Sequence, residues 1–530
     1  MKLFKVIMAG AVLSSVVMAS ACSSSGKQEP VPSANQPSDT KPAREKLKLR
    51  AMLISRSANA NLPSDKSKDF VRKAIEDKFQ VELDINYMVN GPDLHNKMNA
   101  MAASNDLPDF WLEGNPDGGI KLYQSGLLSD LTPFVTKETM PNYFKYWLDD
   151  ETMRTYRLDG KLVRIPIPYD KSSYRAYYIR KDWLDKLGLK VPQTYEDYVK
   201  VLQAFTNNDP DGNNKKDTYG ATYAGNGNSV GLDWPEYIKN GMPFPVLLTD
   251  TQIIDAQTDP KVEQVIDDIA KVIGMGVIDP DWFLSKGPDV LNKASQGKVG
   301  VVLGGTPDFA FDSSPQSLQA RSKMINPQAN WVAFSMFGPN TPIRTTVSPG
   351  SPILFSKATA EKSPEKIKRA VEIVDWLVGD EGFLLTHYGL DGKHYTRTGN
   401  QIKLNIEAFE ADVVKQGNFL DVYNQITPIA PHLMKLEVVD PRQTDHDREI
   451  TKFMASLPIA KGYGMAVTPP QGFDLGSFRA RQNEMQVKLV MEEKSGKNWP
   501  KIREELMVKY KGQELLDAYT KQLRDAGKLK

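Results

Sequence analysis

Apolar positions follow two periods along this chain. From Leu47 an alternating stretch, Leu47-Lys48-Leu49-Arg50, passes into the continuous apolar end Ala51-Met52-Leu53-Ile54, as a strand does on entering a sheet covered on both faces. Phe70, Ala74, Ile75 and Phe79 then recur at helical spacing, and Val81-Glu82-Leu83-Asp84-Ile85-Asn86-Tyr87 returns to a period of two. Pro92 opens a second helix with Leu94, Met98 and Met101 inward, leading to a short strand within 107–112. Strands alternating with amphipathic helices predict an α/β layer architecture, in which ligands gather at the carboxyl ends of strands. The last 130 or so residues read as mostly helical: Ile502, Leu506 and Tyr510, then Leu515, Leu516, Tyr519 and Leu523, keep helical spacing.

The first 45 residues follow neither period. A basic start, Met1-Lys2-Leu3-Phe4-Lys5, precedes an apolar run from Val6 to Ala21 that is shorter than the roughly 20 residues needed to cross a bilayer. The run closes on Ala19-Ser20-Ala21-Cys22, which is how a secretory signal ends when its cysteine receives a lipid, although Ala19 stands where such signals commonly carry Leu. Cys22 is the single cysteine of the chain, so no intramolecular disulfide can form, and a diacylglycerol on its thiol gives it a purpose. Residues 22–45 are rich in Ser, Pro, Gln and Lys and should form a disordered tether after a signal spanning 1–21.

The remainder exceeds the roughly 250–300 residues at which one core stops growing, so at least two domains are expected. With 40% hydrophobic and 25% charged residues, composition is that of a soluble globular protein. Loss of Lys2 and Lys5 with residues 1–21 takes the formal charge from +1 to −1, so bulk charge recruits neither nucleic acid nor an anionic membrane surface.

Asp209-Pro210-Asp211-Gly212-Asn213-Asn214-Lys215-Lys216-Asp217 carries oxygen side chains at positions 1, 3, 5 and 9 of a tight loop, with the carbonyl of Lys215 at position 7. Alternate residues of a curled loop point inward, so this spacing can surround a structural calcium ion. The EF-hand pattern is incomplete: Asn214 replaces the glycine at position 6 and Gly220 the glutamate at position 12. A surface turn rich in Gly, Asn and Asp is the other reading.

Signatures of an enzyme are poor. Gly227-Asn228-Ser229-Val230-Gly231 fits G-x-S-x-G, but Ala224-Gly225-Asn226 precedes it where a buried strand is required. The histidines His95, His387, His394, His432 and His446 include no pair at metal-binding helical spacing, and no phosphate-binding glycine loop of the Walker type is present. Carboxylate groups such as Asp149-Asp150-Glu151 read as a solvated face.

Taken in order, several loose motifs point one way. Leu107-Pro108-Asp109-Phe110-Trp111, Gln124–Leu131 (QSGLLSDL) and Gly160–Pro166 (GKLVRIP) come first, then Tyr178–Leu189 (YIRKDWLDKLGL) and Gln296–Val301 (QGKVGV). Ala370–Leu377 (AVEIVDWL), Asp380-Glu381-Gly382 and Gly389–Tyr395 (GLDGKHY) follow. Over most of residues 47–525 the chain resembles the family 1 extracellular solute-binding proteins of the maltose-binding type, in their large LipO-like lipoprotein branch, which serves carbohydrate ABC importers.

The resemblance implies the type II periplasmic-binding-protein fold: two α/β lobes, a hinge and a central ligand cleft. The lobes are expected at 46–168 with 295–350, and at 169–294 with 351–530, the chain crossing near 166–171, 289–298 and 348–353. It implies binding of a carbohydrate of oligosaccharide size, without catalysis, and delivery to the permease of an ABC importer by a monomer lipid-anchored on the extracytoplasmic face of the cell membrane. Sugars stack their C–H faces on aromatic rings and pair their hydroxyls with planar polar side chains. Trp111, Glu113 and Asp117, Tyr169 and Asp170 at the hinge, Trp234, Gly305 and Thr306 are the candidate ligand residues, with core packing the alternative for each aromatic. Relatives that carry a calcium loop in the second lobe add to the metal reading of Asp209, Asp211, Asn213, Lys215 and Asp217, although Thr218 stands where an acidic residue commonly follows. A sensory partner of a membrane kinase needs the same closed form and stays open as an alternative, and an enzyme acting on polysaccharide is the remaining one.

Overall fold

The computed structural model describes residues 44–55, 60–115, 117–348, 350–427 and 430–530. Cys22, the signal over 1–21 and the tether up to residue 43 lie outside the described residues. Among the described residues no helix is long and apolar enough to cross a membrane.

Residues 46–530 carry two hydrophobic cores, each under its own sheet. The first sheet has the order Val81–Val89, Leu47–Ser55, Phe110–Leu112, Pro352–Phe355, Arg164–Pro166. The strand Leu47–Ser55 lies in its interior, and its last five residues are all buried, as the unbroken apolar run at 51–54 requires. The helix Phe70–Phe79 turns Val71, Ile75 and Phe79 into this core, and Asp69 caps it by accepting from the Arg72 amide at 2.9 Å. The second sheet has the order Trp331–Phe334, Ala176–Arg180, Val299–Gly304, Tyr219–Ala221. Helices from the end of the chain, Leu475–Lys488, Trp499–Val508 and Gly512–Asp525, bury Phe478, Leu506, Leu515 and Leu523 in the same core.

The expected division of the chain between lobes is corrected in its later part. The strand Val299–Gly304 pairs antiparallel with Ala176–Arg180, Ala176 standing opposite Gly304, and Val299, Val301 and Val302 lie in the second core. The strand Pro352–Phe355 pairs with Phe110–Leu112 and with Arg164–Pro166, and Ile353, Leu354 and Phe355 lie in the first. Residues 295–350 therefore belong to the second lobe, and the stretch from 351 to the strand Glu437–Val439 belongs to the first. The chain does cross between Pro166 and Ala176 and again between Thr345 and Pro352, but this second passage returns it to the first lobe. A third passage lies between Leu436 of the first core and Ile450 of the second. Both misplaced strands are short, apolar and buried but for the partly exposed Leu303, and such a run does not carry in itself which of two sheets it completes.

The hinge is a small sheet of its own. Ser172 bridges Thr346, the Ser173 amide donates to the Thr345 carbonyl at 2.9 Å, and Val347 donates to Lys171 at 3.3 Å. Arg344–Thr345 also pairs parallel with Ile459–Ala460. Gly462 then passes so near that a Cβ on it would stand 2.3 Å from the Thr346 carbonyl oxygen, so only glycine fits.

Candidate functional site

Strand direction brings two edges to the hinge. In the first sheet the strands ending at Ser55, Val89 and Leu112 run parallel, and the antiparallel strand Pro352–Phe355 begins where they end. Arg164–Pro166 also finishes at this edge, with Pro166 opposite Pro352. In the second sheet Ala176 begins beside Gly304, and Tyr219–Ala221, parallel to Val299–Gly304, ends at the same side. Residues just past these strand ends flank both crossings, which is where an open α/β sheet places its ligands.

Glu113, Asp117, Tyr169, Asp170, Gly305 and Thr306 are all brought to these two edges. Glu113 is 1% exposed and faces its own loop: Oε2 accepts from the Trp111 indole at 3.2 Å, and Oε1 accepts from the amide nitrogen and side chain of Asn115, both at 2.8 Å. Asp117 accepts from Gly119 at 3.1 Å and Lys121 at 3.2 Å, where positive φ at Gly118 and Gly119 turns the chain. Beneath this turn Arg164 donates to the Gly118 carbonyl at 3.1 Å and covers the Tyr156 ring at 4.4 Å. Burial lowers its pKa, and neighbouring Tyr156 and Asp117 oppose that change.

At the hinge Tyr169 is half-buried, and burial followed by the charge of Asp149 pushes its hydroxyl pKa up to about 12, so it is a neutral donor. Asp170 Oδ1 accepts from the Ser172 amide at 3.2 Å. Its Oδ2 is shut off from solvent without a well-formed hydrogen bond, with the Tyr174 hydroxyl as neighbour and His432 Nε2 at 3.6 Å. Tyr174 and His432 are thus the donors set beside this buried acceptor. Gly305 and Thr306 are exposed, and a Cβ on Gly305 would meet nothing within 4 Å.

Two expected ligand platforms are corrected. Trp111 is 0% exposed on Phe110–Leu112 and belongs to the first core. Trp234 is likewise 0% exposed: its ring stacks on Tyr223 with centroids 3.9 Å apart, meets Trp282 edge-on at 5.0 Å, and donates to the Val230 carbonyl at 2.8 Å. Neither indole offers a free face.

Sequence reasoning missed a group on the second-lobe edge. Arg175, next to Ala176, donates from Nη2 to Asp233 Oδ1 at 2.6 Å and lies 5.0 Å over the Phe244 ring. Arg344 also went unread; it donates to the carbonyls of Ser173 at 3.0 Å and Met454 at 2.8 Å and stacks on Tyr174 at 5.2 Å, tying the hinge to the second lobe. An arginine beside a tyrosine two or three residues from a crossing was the available signal for Arg175, but it has no periodicity.

The acidic loop curls as its spacing implies, with positive φ at Asp209, Gly212 and Asn214. Asp209 accepts from the amides of Gly212, Asn213 and Asn214 at 3.0, 3.1 and 3.0 Å. Asn213 Nδ2 donates to Asp211 at 2.8 Å and Asp217 at 3.1 Å, while its Oδ1 accepts from the Lys215 amide at 2.7 Å. Burial, a shared hydrogen bond with Asp209 and the charge of Asp217 raise the Asp211 pKa. Burial would also raise Asp209, but the hydrogen bonds from Asp211 and the three amides hold it below the usual carboxylate range. Among the described residues no three His, Cys, Asp or Glu side chains form a ready metal cage.

Two surface cavities, of about 200 and 310 Å³, lie in the second lobe. Neither touches the strand edges: the smaller is lined by Tyr195, Lys239 and Asp268, the larger by Ile238, Leu247 and Pro342.

Residues 71–391 match the family model for bacterial extracellular solute-binding proteins. The chain is 26% identical to lipoprotein LipO of Bacillus subtilis over 362 residues, 67% of this chain and 68% of that one. Among solved structures, a solute-binding protein of Bifidobacterium longum infantis described as binding HMO and associated with an ABC transporter superposes with a TM-score of 0.66 at 16% identity, covering 92% of this chain and 100% of its own. The Streptococcus pneumoniae ABC-transporter substrate-binding protein FusA, solved with kestose, superposes with a TM-score of 0.63 at 17% identity, covering 91% and 99%. An EF-hand mutant of FusA superposes with the same score. At such identities the superpositions show the fold, two α/β lobes of the periplasmic-binding-protein kind. With more than half of its length matched by the family model, this chain belongs to the bacterial extracellular solute-binding proteins.

Proposed function

We propose that this protein is the substrate-binding lipoprotein of an ABC importer and captures an oligosaccharide between its lobes. The observation that carries the reading is the hinge carboxylate. Asp170 stands at the crossing where both strand edges meet, its carboxylate flanked by the Tyr174 hydroxyl and by His432 Nε2 at 3.6 Å. A carboxylate accepts from several donors at once, so a sugar hydroxyl reaching Asp170 would join Tyr174 and His432 there. Tyr169 offers a half-buried ring for a C–H face and a neutral hydroxyl, Asp117 a carboxylate, and the Gly305–Thr306 turn open space and a hydroxyl. Glu113 acts by fixing the loop that presents Asp117.

Function here is binding without chemistry. A ligand that touches both edges stabilises the closed arrangement of the lobes, and that arrangement is what a permease reads. LipO is named a lipoprotein, and FusA and the Bifidobacterium protein are described as serving ABC transporters, which supports this role for the present chain. Cys22 carries the lipid that holds the monomer at the outer face of the membrane.

The loop at 209–217 holds a structural calcium ion. Asp209, Asp211, Asn213 and Asp217 already turn toward one another, and the Asp211 carboxyl is raised by burial and by its like-charged neighbours, as in a cluster built for a cation. The ligands would be these four side chains and the Lys215 carbonyl. Turning the Asn213 amide over presents its oxygen where its nitrogen now bridges Asp211 and Asp217. Calcium would supply charge neutralisation and loop rigidity, away from the strand edges.

A thermal-shift screen of the purified protein against a glycan panel that includes kestose tests the reading. A glycan at 100 times its dissociation constant should add about 2.7 kcal/mol to the folded state. No change in melting temperature with any oligosaccharide would overturn it.

A further inference from the structure

We infer that Arg175 and Asp233 form a preset clamp for adjacent hydroxyls of a sugar ring on the second-lobe edge, an inference that rests on the oligosaccharide reading above. Arg175 stands one residue before the strand Ala176–Arg180, and because Ala176 pairs with Gly304, it falls opposite Gly305 at the open end of the sheet. Its guanidinium lies on the Phe244 ring at 5.0 Å, and its side chain is 17% exposed, so orientation is already fixed before anything binds. Asp233 is the reverse, with a side chain 55% exposed.

The pair leaves capacity for a ligand. One N–H of five is used at 2.6 Å, on Oδ1 of Asp233, which leaves Asp233 Oδ2 and further guanidinium N–H groups for other partners. A planar donor fork beside a planar acceptor matches two neighbouring hydroxyls, one donating to the carboxylate while the other accepts from the guanidinium. The ion pair is also not needed to hold its own loop. Tyr177 donates to the Asp233 carbonyl at 3.0 Å, and Trp234 anchors the next residue through Val230 at 2.8 Å. With the Asp233 side chain 55% exposed, solvent screens the pair, and a screened ion pair contributes little to stability. Because Arg175 lies just beyond the hinge, the clamp travels with the second lobe and meets a sugar held by the first when the lobes close.

The test is calorimetric titration of wild type, Arg175→Lys, Arg175→Ala and Asp233→Asn with kestose, maltotriose and trigalacturonate, one at a time, with melting temperature read in parallel. For any probe the wild type binds, Arg175→Ala and Asp233→Asn should raise Kd by roughly tenfold to a hundredfold, the scale of a lost hydrogen bond to a charged group. Arg175→Lys keeps the charge but not the fork and should fall between. Asp233→Asn is at an exposed side chain and should leave the melting temperature unchanged, so it decides the matter even if Arg175→Ala fails to fold. A wild type that binds while Asp233→Asn and Arg175→Lys bind within twofold of it overturns the clamp alone. A wild type that binds none of the three and no other oligosaccharide of the glycan panel overturns the oligosaccharide reading and the clamp together.

Discussion

Glu236 shows how much a single buried group can govern. It is 1% exposed, its Oε1 accepts from the Tyr195 hydroxyl at 2.5 Å, and its Oε2 has no hydrogen-bond partner among the described residues. Burial pushes its pKa up to about 7, the Tyr195 hydrogen bond offsetting only part. An acid raised above its unfolded value is protonated in the folded state, so its contribution is complete below the unfolded pKa near 4.5 and is lost as pH rises through about 7. Each tenfold change in proton affinity is worth about 1.4 kcal/mol, so denaturant unfolding should show a loss on the order of a few kcal/mol between about pH 5 and pH 8 that Glu236→Gln abolishes. An unchanged pH slope in that variant would refute the assignment. Trp111 makes the complementary point. As a fully buried core residue, Trp111→Ala should cost about 3–5 kcal/mol of stability, measured the same way. Its type and position after a strand fitted a sugar platform equally well. Side-chain identity tells what a tryptophan can do, but which face of the strand it occupies is set by the sheet above it.

At the scale of elements, local chemistry was legible wherever local forces decide. The helices Phe70–Phe79 and Gly512–Asp525 follow their apolar spacing, and Ile75, Phe79, Leu515 and Leu523 are buried as that spacing requires. The loop at 209–217 is another case, because its side chains cap its own backbone amides. Its crowded carboxylates make calcium testable there. A chelator should lower the melting temperature of the wild type if calcium is held in the loop. Asp211→Asn should remove that sensitivity and, in chelator, match or exceed the wild type, since it relieves the repulsion that helps to raise Asp211. Equal melting curves with and without chelator in both proteins would leave a plain turn. What stayed hidden at this scale was the sheet to which Val299–Gly304 and Pro352–Phe355 belong, because their partners lie far away in sequence, as Ala176 does from Gly304 and Leu112 from Ile353.

Among the described residues of 46–530, two cores are joined by three passages of chain. Of the crossings that the resemblance implied, those near 166–171 and 348–353 are present, the latter in the opposite direction, while none occurs near 289–298, where the helix Gly287–Ser295 leads into the second-lobe strand Val299–Gly304. Strand ends bring Asp117, Tyr169, Asp170, Gly305 and Thr306 to the two edges, while Glu113 is buried in its own loop and Arg175 and Asp233 meet only because the lobe folds. One interlobe contact bears on closure: Lys528 of the second lobe reaches Glu151 of the first at 3.0 Å. Both side chains keep solvent contact, so Lys528→Ala should change glycan affinity by at most about 1 kcal/mol, in a titration at low salt. A larger loss would make that pair part of the site.

Small-angle scattering from the protein with and without the glycan that raises its melting point tests the central claim most directly. If an oligosaccharide is held between the lobes, the radius of gyration falls on binding and the titration saturates at one glycan per chain. A radius unchanged at saturation would place the glycan elsewhere and contradict capture by closure.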